Sequence, residues 1–344
     1  MVISALLRPL WVKTLIGVLL ISGAYLWLFW PDAEHAAPPL PDVSVFIGSD
    51  EPIRPLPLEL PALDKRKVAL GKMLFNDVRM SKDNSIACAN CHQLDHGGVD
   101  HLKYPVGFHG QVGDINVPTV FNSGFNFRQF WNGRAASLEE QFSGPIHGPR
   151  EMASNWDEVV LKVRNDASYL QLFATLYKDG VTEQNIADAV ATFERSLITP
   201  NSRFDRFLRG DAHAITAEEL AGYKLFKSYG CISCHQGMNI GGNMYEKLGI
   251  MNDYFGTRTD ISEADMGRYA VTKNPEHMHE FKVPSLRNID RTAPYFHDGS
   301  AATLGAAVII MAKFQLGLDM PPDDVSSIVA FLKSLTGEYE GRPL

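Results

Sequence analysis

The chain has 344 residues, 45% of them hydrophobic and 21% charged, with 32 Lys+Arg against 40 Asp+Glu for a formal net charge of −8. This composition excludes wholesale disorder, a collagen-like fibre and a many-span membrane protein, and its length suits about two domains. The acidic balance lacks the cationic surplus that phosphate contacts need, so nucleic acid is not an expected partner.

Arg8 and Lys13 precede an uncharged run of 17 residues, Thr14–Trp30, followed by Asp32 and Glu34. As a helix the run would be about 25 Å long, near the lower limit for a bilayer span. Basic residues before it and acids after it keep the tip cytoplasmic and export the remainder, and Tyr25, Trp27 and Trp30 suit a headgroup belt. A cleaved signal peptide is the alternative, but this apolar core exceeds ~7–15 residues and AEHAAPP offers no clean small-x-small site. Both readings export the chain to a periplasm. The first expects residues 1–37 to be a cytoplasmic tip and transmembrane anchor tethered to the inner membrane. Residues 38–61 carry seven prolines and read as a semi-rigid linker, although PLPLELP (55–61) is apolar enough to pack down.

Beyond the linker the signals are helical. CANCH stands at 88–92. Ser137 with Glu140 forms a capping box before LEEQF, and Asn155 can cap the apolar-periodic run 156–177. Residues 183–198 follow a helical period. Thr216 with Glu219 forms a second box before EELAGYKLFKS, CISCH follows at 231–235, and 323–335 is helical again. LGKMLF (70–75) upstream of the first Cys pair is echoed by AGYKLF (221–226) upstream of the second. Strand-like runs are few.

Cys88, Cys91, Cys231 and Cys234 are the only cysteines, and each pair is followed at once by a histidine, His92 and His235. Cys-x-x-Cys-His is the attachment signature of c-type haem: two thioethers form to the vinyl groups and the adjacent imidazole becomes the proximal ligand. A redox pair would want a βαβ surround, and a zinc site would have to gather cysteines far apart while leaving both histidines unexplained. Two motifs that consume every cysteine of an exported chain point to two covalently bound haem c groups. The expected fold is mainly α, with two tandem cytochrome-c-like domains, each carrying one haem, behind the anchor.

From about Pro55 to Leu335 the chain resembles the bacterial dihaem cytochrome c peroxidases. The resemblance rests on LGKMLFNDVRMS, GGVD (97–100), PTVFN (118–122), QFWNGRA (129–135), GP…EM (144–152), TFERSLITPNSRFDRFL (192–208), GRY (267–269), VPSLRNI (283–289) and PYFHDG (294–299), in order and at family-like spacing. It implies an N-terminal domain (62–205) with the peroxidatic haem and a C-terminal domain (206–344) with the electron-transfer haem. Met311, in VIIMAKFQLG, matches the methionine ligand of the second iron, with Met320, Met251 and Met266 as other methionines of that half. Glu151 matches the catalytic glutamate that moves protons during O–O cleavage, Gln141 the glutamine beside it, and Trp131 the tryptophan between the haems.

Many family members carry a histidine in the loop before PTVFN that ligates the first iron at rest. Counted without gaps, that position here is Phe108. Either the loop slips by one and His109 ligates, or the site is permanently five-coordinate and active without prior reduction; His96 and His101 are further histidines of this region. Asn116, Thr292 and Pro294 match the family's calcium site, whose mixed oxygen donors suit that hard cation.

The implied activity is reduction of hydrogen peroxide to two waters. Single electrons would come from a small cytochrome c or cupredoxin, or from the quinol pool, and the negative charge favours a basic docking partner. The resemblance also implies a homodimer. Two other readings stand beside it: a dihaem enzyme that oxidises protein side chains during cofactor maturation, whose subclass has tyrosine in place of the methionine ligand, and a non-enzymatic dihaem carrier.

Overall fold

A computed structural model of the chain describes residues 51–60 and 62–344. The segment read as an anchor and the first part of the linker lie outside the described residues. Among those described, no helix is long and apolar enough to cross a membrane.

The architecture is mainly helical. The helices are α1 (Lys65–Phe75), α2 (Cys88–Cys91), α3 (Leu138–His147), α4 (Trp156–Arg164), α5 (Ala167–Leu176), α6 (Glu183–Ser196), α7 (Arg203–Leu208), α8 (Ala217–Ser228), α9 (Tyr269–Thr272), α10 (Leu304–Ile310) and α11 (Pro322–Lys333). Two antiparallel pairs accompany them: β1 (Tyr245–Lys247) with β2 (Glu280–Lys282), and β3 (Glu338–Tyr339) with β4 (Arg342–Pro343).

The capping chemistry explains most starts. Thr216 Oγ1 accepts the Glu219 N–H while the Glu219 carboxylate accepts the Thr216 N–H, a full capping box at α8. At α3 the box is only half formed, because Glu140 reaches past Ser137 to the Ala136 N–H (2.7 Å). The run 156–177 is two helices, not one. Asp166 accepts the N–H groups of Ser168 and Tyr169 and so starts α5 anew, a local bond that outcompetes helix continuation.

Two large apolar clusters form most of the core, with a smaller third of Leu248, Tyr254, Phe255 and Phe281. The first gathers Leu70, Phe75, Phe121, Phe142, Val159, Phe173 and Phe193, and the second Ile53, Phe204, Tyr223, Phe226, Leu304, Ile328 and Phe331. In the first lobe α1 crosses α6, and in the second α8 crosses α11. The sequence echo marks these crossings. A Cβ on Gly71 would lie 2.0 Å from the Ala189 carbonyl oxygen, and one on Gly222 would lie 1.8 Å from that of Ser327. Only glycine lets the helix before each Cys pair approach so closely. The chain's tail crosses back, with Tyr339 and Leu344 packed on the first cluster.

The described part of the proline-rich stretch is packed down. Ile53 and Leu56 are fully buried, and Ile53 bridges to Gly237. Arg287, from VPSLRNI, holds Asp205 at 2.7 Å with both side chains 0% exposed, and its Nη2 donates to the Arg54 carbonyl (2.8 Å). Asp205 in turn accepts the Leu56 N–H (3.2 Å). This buried pair straps the strand-like lead onto the second lobe.

Candidate functional site: two haem-attachment centres

The two Cys-x-x-Cys-His segments share one local design. Cys88 and Cys91 span the single turn of α2, and Cys231 begins a 3-10 turn, so each histidine follows at the end of a tight turn. His92 Nδ1 lies 3.2 Å from the Gly98 carbonyl oxygen and His235 Nδ1 lies 3.2 Å from that of Ile240. Pro118 and Pro284 present a second carbonyl to the respective rings. Burial pulls both imidazoles down to about 4 against these carbonyls, so each ring is neutral. The Nδ1 contact makes that nitrogen the protonated one and leaves Nε2 as a free metal ligand. Burial pushes the Cys91 thiol up to about 12 and that of Cys231 up to about 11, and no cysteine is in a disulfide.

Around the second motif is a cavity of about 540 Å³, lined by Cys231, Cys234, His235, Met311, Trp131 and Lys282 among others. Its size is that of a cofactor site. Two thiols, a neutral imidazole, a thioether and mainly apolar walls fit a covalently held haem. Met311 opens the π turn Met311–Gln315 that continues α10, a widened turn that recurs at functional sites. Met320 and Met244 also line the cavity, whereas Met251 is 61% exposed and Met266 is not part of the wall. Trp131 and Met311 both pack on the small apolar cluster of Leu248, Tyr254, Phe255 and Phe281, and Trp131 Nε1 donates to the Asn116 carbonyl (2.9 Å).

Beside the first motif the polar groups differ. Gln141 is half-buried on α3. The turn carrying Glu151 folds back on α3, where the Met152 N–H donates to the Pro145 carbonyl (3.1 Å). A Cβ on Gly148 would lie 2.8 Å from Glu151 Oε1, so glycine leaves this carboxylate its place. Glu151 keeps solvent access on one side but is crowded by protein on the other. Desolvation raises its pKa, Asp114 adds to the rise, and Arg134 and Arg150 oppose it. Phe108 donates its N–H to the Glu151 carbonyl (2.8 Å), so the loop before PTVFN abuts the acid. His109, at φ 53°, stacks on Phe108 with centroids 3.9 Å apart and turns its Nε2 to within 3.6 Å of Asp83, leaving the side chain 68% exposed. His96 and His101 lie together, 6.0 Å between centroids, and His101 Nδ1 contacts the Ala293 carbonyl (3.0 Å).

Asn116, Thr292 and Pro294 line the same cavity as Trp131. Asn116 donates Nδ2 to the Leu102 carbonyl (2.9 Å) and its N–H to the His297 carbonyl (2.7 Å). Among the described residues the one cluster of three acidic or histidine side chains with metal-like spacing is Asp265, His297 and Asp298. Arg258 already lies 2.9 Å from both acids, so a guanidinium supplies the cation there. Sequence reading missed this cluster, along with Arg134 and Lys282. PYFHDG carried a motif signal for His297 and Asp298, but nothing in the sequence linked them to Arg258 and Asp265.

Two helical lobes, each presenting Cys-x-x-Cys-His with a neutral histidine at a tight turn, define a dihaem c-type cytochrome. The chain belongs to the di-haem cytochrome c peroxidase family, whose profile matches residues 65–213. It is 49% identical over 292 residues to "Cytochrome c peroxidase Ccp" of Escherichia coli K12, a match covering 84% of this chain and 62% of that protein. It is 45% identical over 293 residues to "Cytochrome c551 peroxidase" of Nitrosomonas europaea, covering 85% of this chain and 86% of the relative. The fold is similar to the crystal structure of a MauG-like protein associated with microbial copper homeostasis, with a TM-score of 0.72 at 27% identity over 84% of this chain and 94% of that one.

Proposed function

We propose that the protein reduces hydrogen peroxide to two waters, with the first lobe as the peroxide site and the second as the electron store. When bound, haem supplies the redox-active iron at each centre. Cys88, Cys91 and His92 would hold the first group, and Cys231, Cys234, His235 and Met311 the second, the methionine favouring a high potential. The observation that carries the reading is the asymmetry of the two distal sides. Counted from the helix caps Ser137 and Thr303, position eight is Pro145 in α3 and Met311 after α10. Proline offers no side-chain ligand, and beside it stands a carboxyl whose raised pKa suits proton transfer.

Glu151 accepts a proton from one peroxide oxygen and returns it to the other, and Gln141 holds the substrate by hydrogen bonding. Trp131 bridges the lobes as the electron conduit. Phe108 takes the position of a displaceable histidine, and His109 is engaged by Asp83, which supports a first centre that is open at rest.

The same reading includes a calcium ion at Asn116, Thr292 and Pro294, a tether formed by Thr14–Trp30 with the catalytic part in the periplasm, domains dividing near residue 205, and a homodimer. Its donor is a small cytochrome c or cupredoxin, or the quinol pool. The test is peroxide turnover with a reduced cytochrome donor, comparing fully oxidised protein with protein pre-reduced by one electron. Equal, immediate turnover is expected. A lag abolished by pre-reduction would restore His109 as a displaceable ligand, and no turnover in either state would move the protein to the carrier or protein-oxidising class.

A further inference from the structure

Lys282 closes β2, is only 7% exposed, and lines the cavity that contains Cys231, Cys234, His235 and Met311. Among the described residues it has no ion-pair partner, and burial alone acts on its ammonium, pulling it down to about 8. A buried ammonium without an anion is costly enough that such groups are normally paired. Among the other charged or ionisable groups of the wall, Lys247 is exposed, and Glu246, the one carboxylate, makes no ion pair with Lys282 among the described residues. His297 Nε2 contacts Asp265 Oδ1 (2.8 Å), and Glu246 Oε1 accepts the Lys247 N–H (2.8 Å). The matched position of the first lobe, Asn116 before Val117-Pro118 as Lys282 is before Val283-Pro284, is satisfied through the Leu102 carbonyl. The cavity therefore presents one unneutralised buried cation, and c-type haem brings two propionate carboxylates.

We propose that Lys282 is the buried counter-ion of a propionate of the second haem, and that its positive charge raises the reduction potential of that haem. This rests on the seating of the second haem by Cys231, Cys234 and His235. The lysine also joins that site to the inter-lobe path, because its backbone N–H donates to the Trp131 carbonyl (2.8 Å). A side-chain substitution leaves this backbone bond available and removes only the charge.

The experiment is a spectroelectrochemical titration of wild type, Lys282→Met and Lys282→Arg, with haem counted per chain by the pyridine haemochrome assay. Lys282→Met is expected to keep two haems and an unmoved first potential, while the ferrous-to-ferric ratio of the second haem falls about tenfold at a given applied potential, or ~59 mV for a one-electron couple. That scale follows from one unit charge acting across several ångströms at an effective dielectric constant of ~20. Lys282→Arg should recover most of the shift. A two-haem Lys282→Met protein with an unmoved second potential overturns the proposal, as does Lys282→Arg falling as far as Lys282→Met. Wild type carrying fewer than two haems would instead sink the underlying seating. Where Lys282→Met does not accumulate with its haems, a crystal structure of the wild-type holoprotein decides. Nζ within hydrogen-bonding distance of a propionate oxygen supports the pairing, and Nζ bonded elsewhere overturns it.

Discussion

The two lobes are built alike and equipped differently. Each sets a glycine at a helix crossing before its Cys pair, and each turns the histidine of its motif, His92 or His235, against backbone carbonyls. The likeness extends to the loops. Gln129 bridges to Ala135 and Tyr295 to Ala301, with Phe130 at φ 69° and Phe296 at φ 71°. Trp131 and His297 thus hold matched places, and each lobe donates across to the other: Lys282 N–H to the Trp131 carbonyl, Asn116 N–H to the His297 carbonyl. The differences fall on the far side of each attachment. The first lobe has Pro145 and the Glu151 turn, the second Met311 on a π turn in a walled cavity. On the function proposed above, two similarly built attachments differ in labour through a few side chains: Pro145 and Glu151 in the first lobe, Met311 in the second.

The sharpest test of that division is Glu151→Gln, which should leave haem content intact yet cut peroxide turnover by roughly 10²-fold or more, the scale of lost acid–base help. Surviving turnover would make Glu151 an ordinary loop acid and erase the asymmetry. Next, Met311→His should lower the potential of the second haem by on the order of 0.1 V, within the ~0.8 V range that axial ligands span, as read by redox titration. An unmoved potential would transfer the ligand role to Met320 or Met244.

The shared scaffold can be tested by Gly71→Ala and Gly222→Ala. Each should destabilise its lobe by about 1–3 kcal/mol in a denaturant melt, because the added methyl meets a backbone carbonyl that has no rotamer to change. Unequal losses would show that one crossing yields where the other does not. The smallest effect is expected from His109→Ala. With its side chain at the surface, turnover from fully oxidised protein should stay within about twofold, the scale of ordinary surface substitutions. A large change in the onset of activity would return the histidine to the iron.

Several features were legible without coordinates because they are local. The Cys-x-x-Cys-His spacing is set by one turn of chain, the Thr216–Glu219 cap by a three-residue reach, and the LGKMLF/AGYKLF echo by the same packing need met twice. Where local signals competed, the reading was coarser. The run 156–177 kept its helical period across Asn165–Asp166, and only the Asp166 bonds to Ser168 and Tyr169 reveal the break. Residue types alone could not supply contacts between distant segments. The sequence determined that two haem-attachment motifs sit in a helical chain with a family's motifs in order. Tertiary structure alone decided that Lys282 is buried with no anion beside it among the described residues, that Arg258 pairs with Asp265 and Asp298, that His109 faces Asp83, and that Arg287 and Asp205 strap the proline-rich lead. Most of these are charge relations between residues tens of positions apart, and a charged residue's exposure and partner depend on what the fold brings against it.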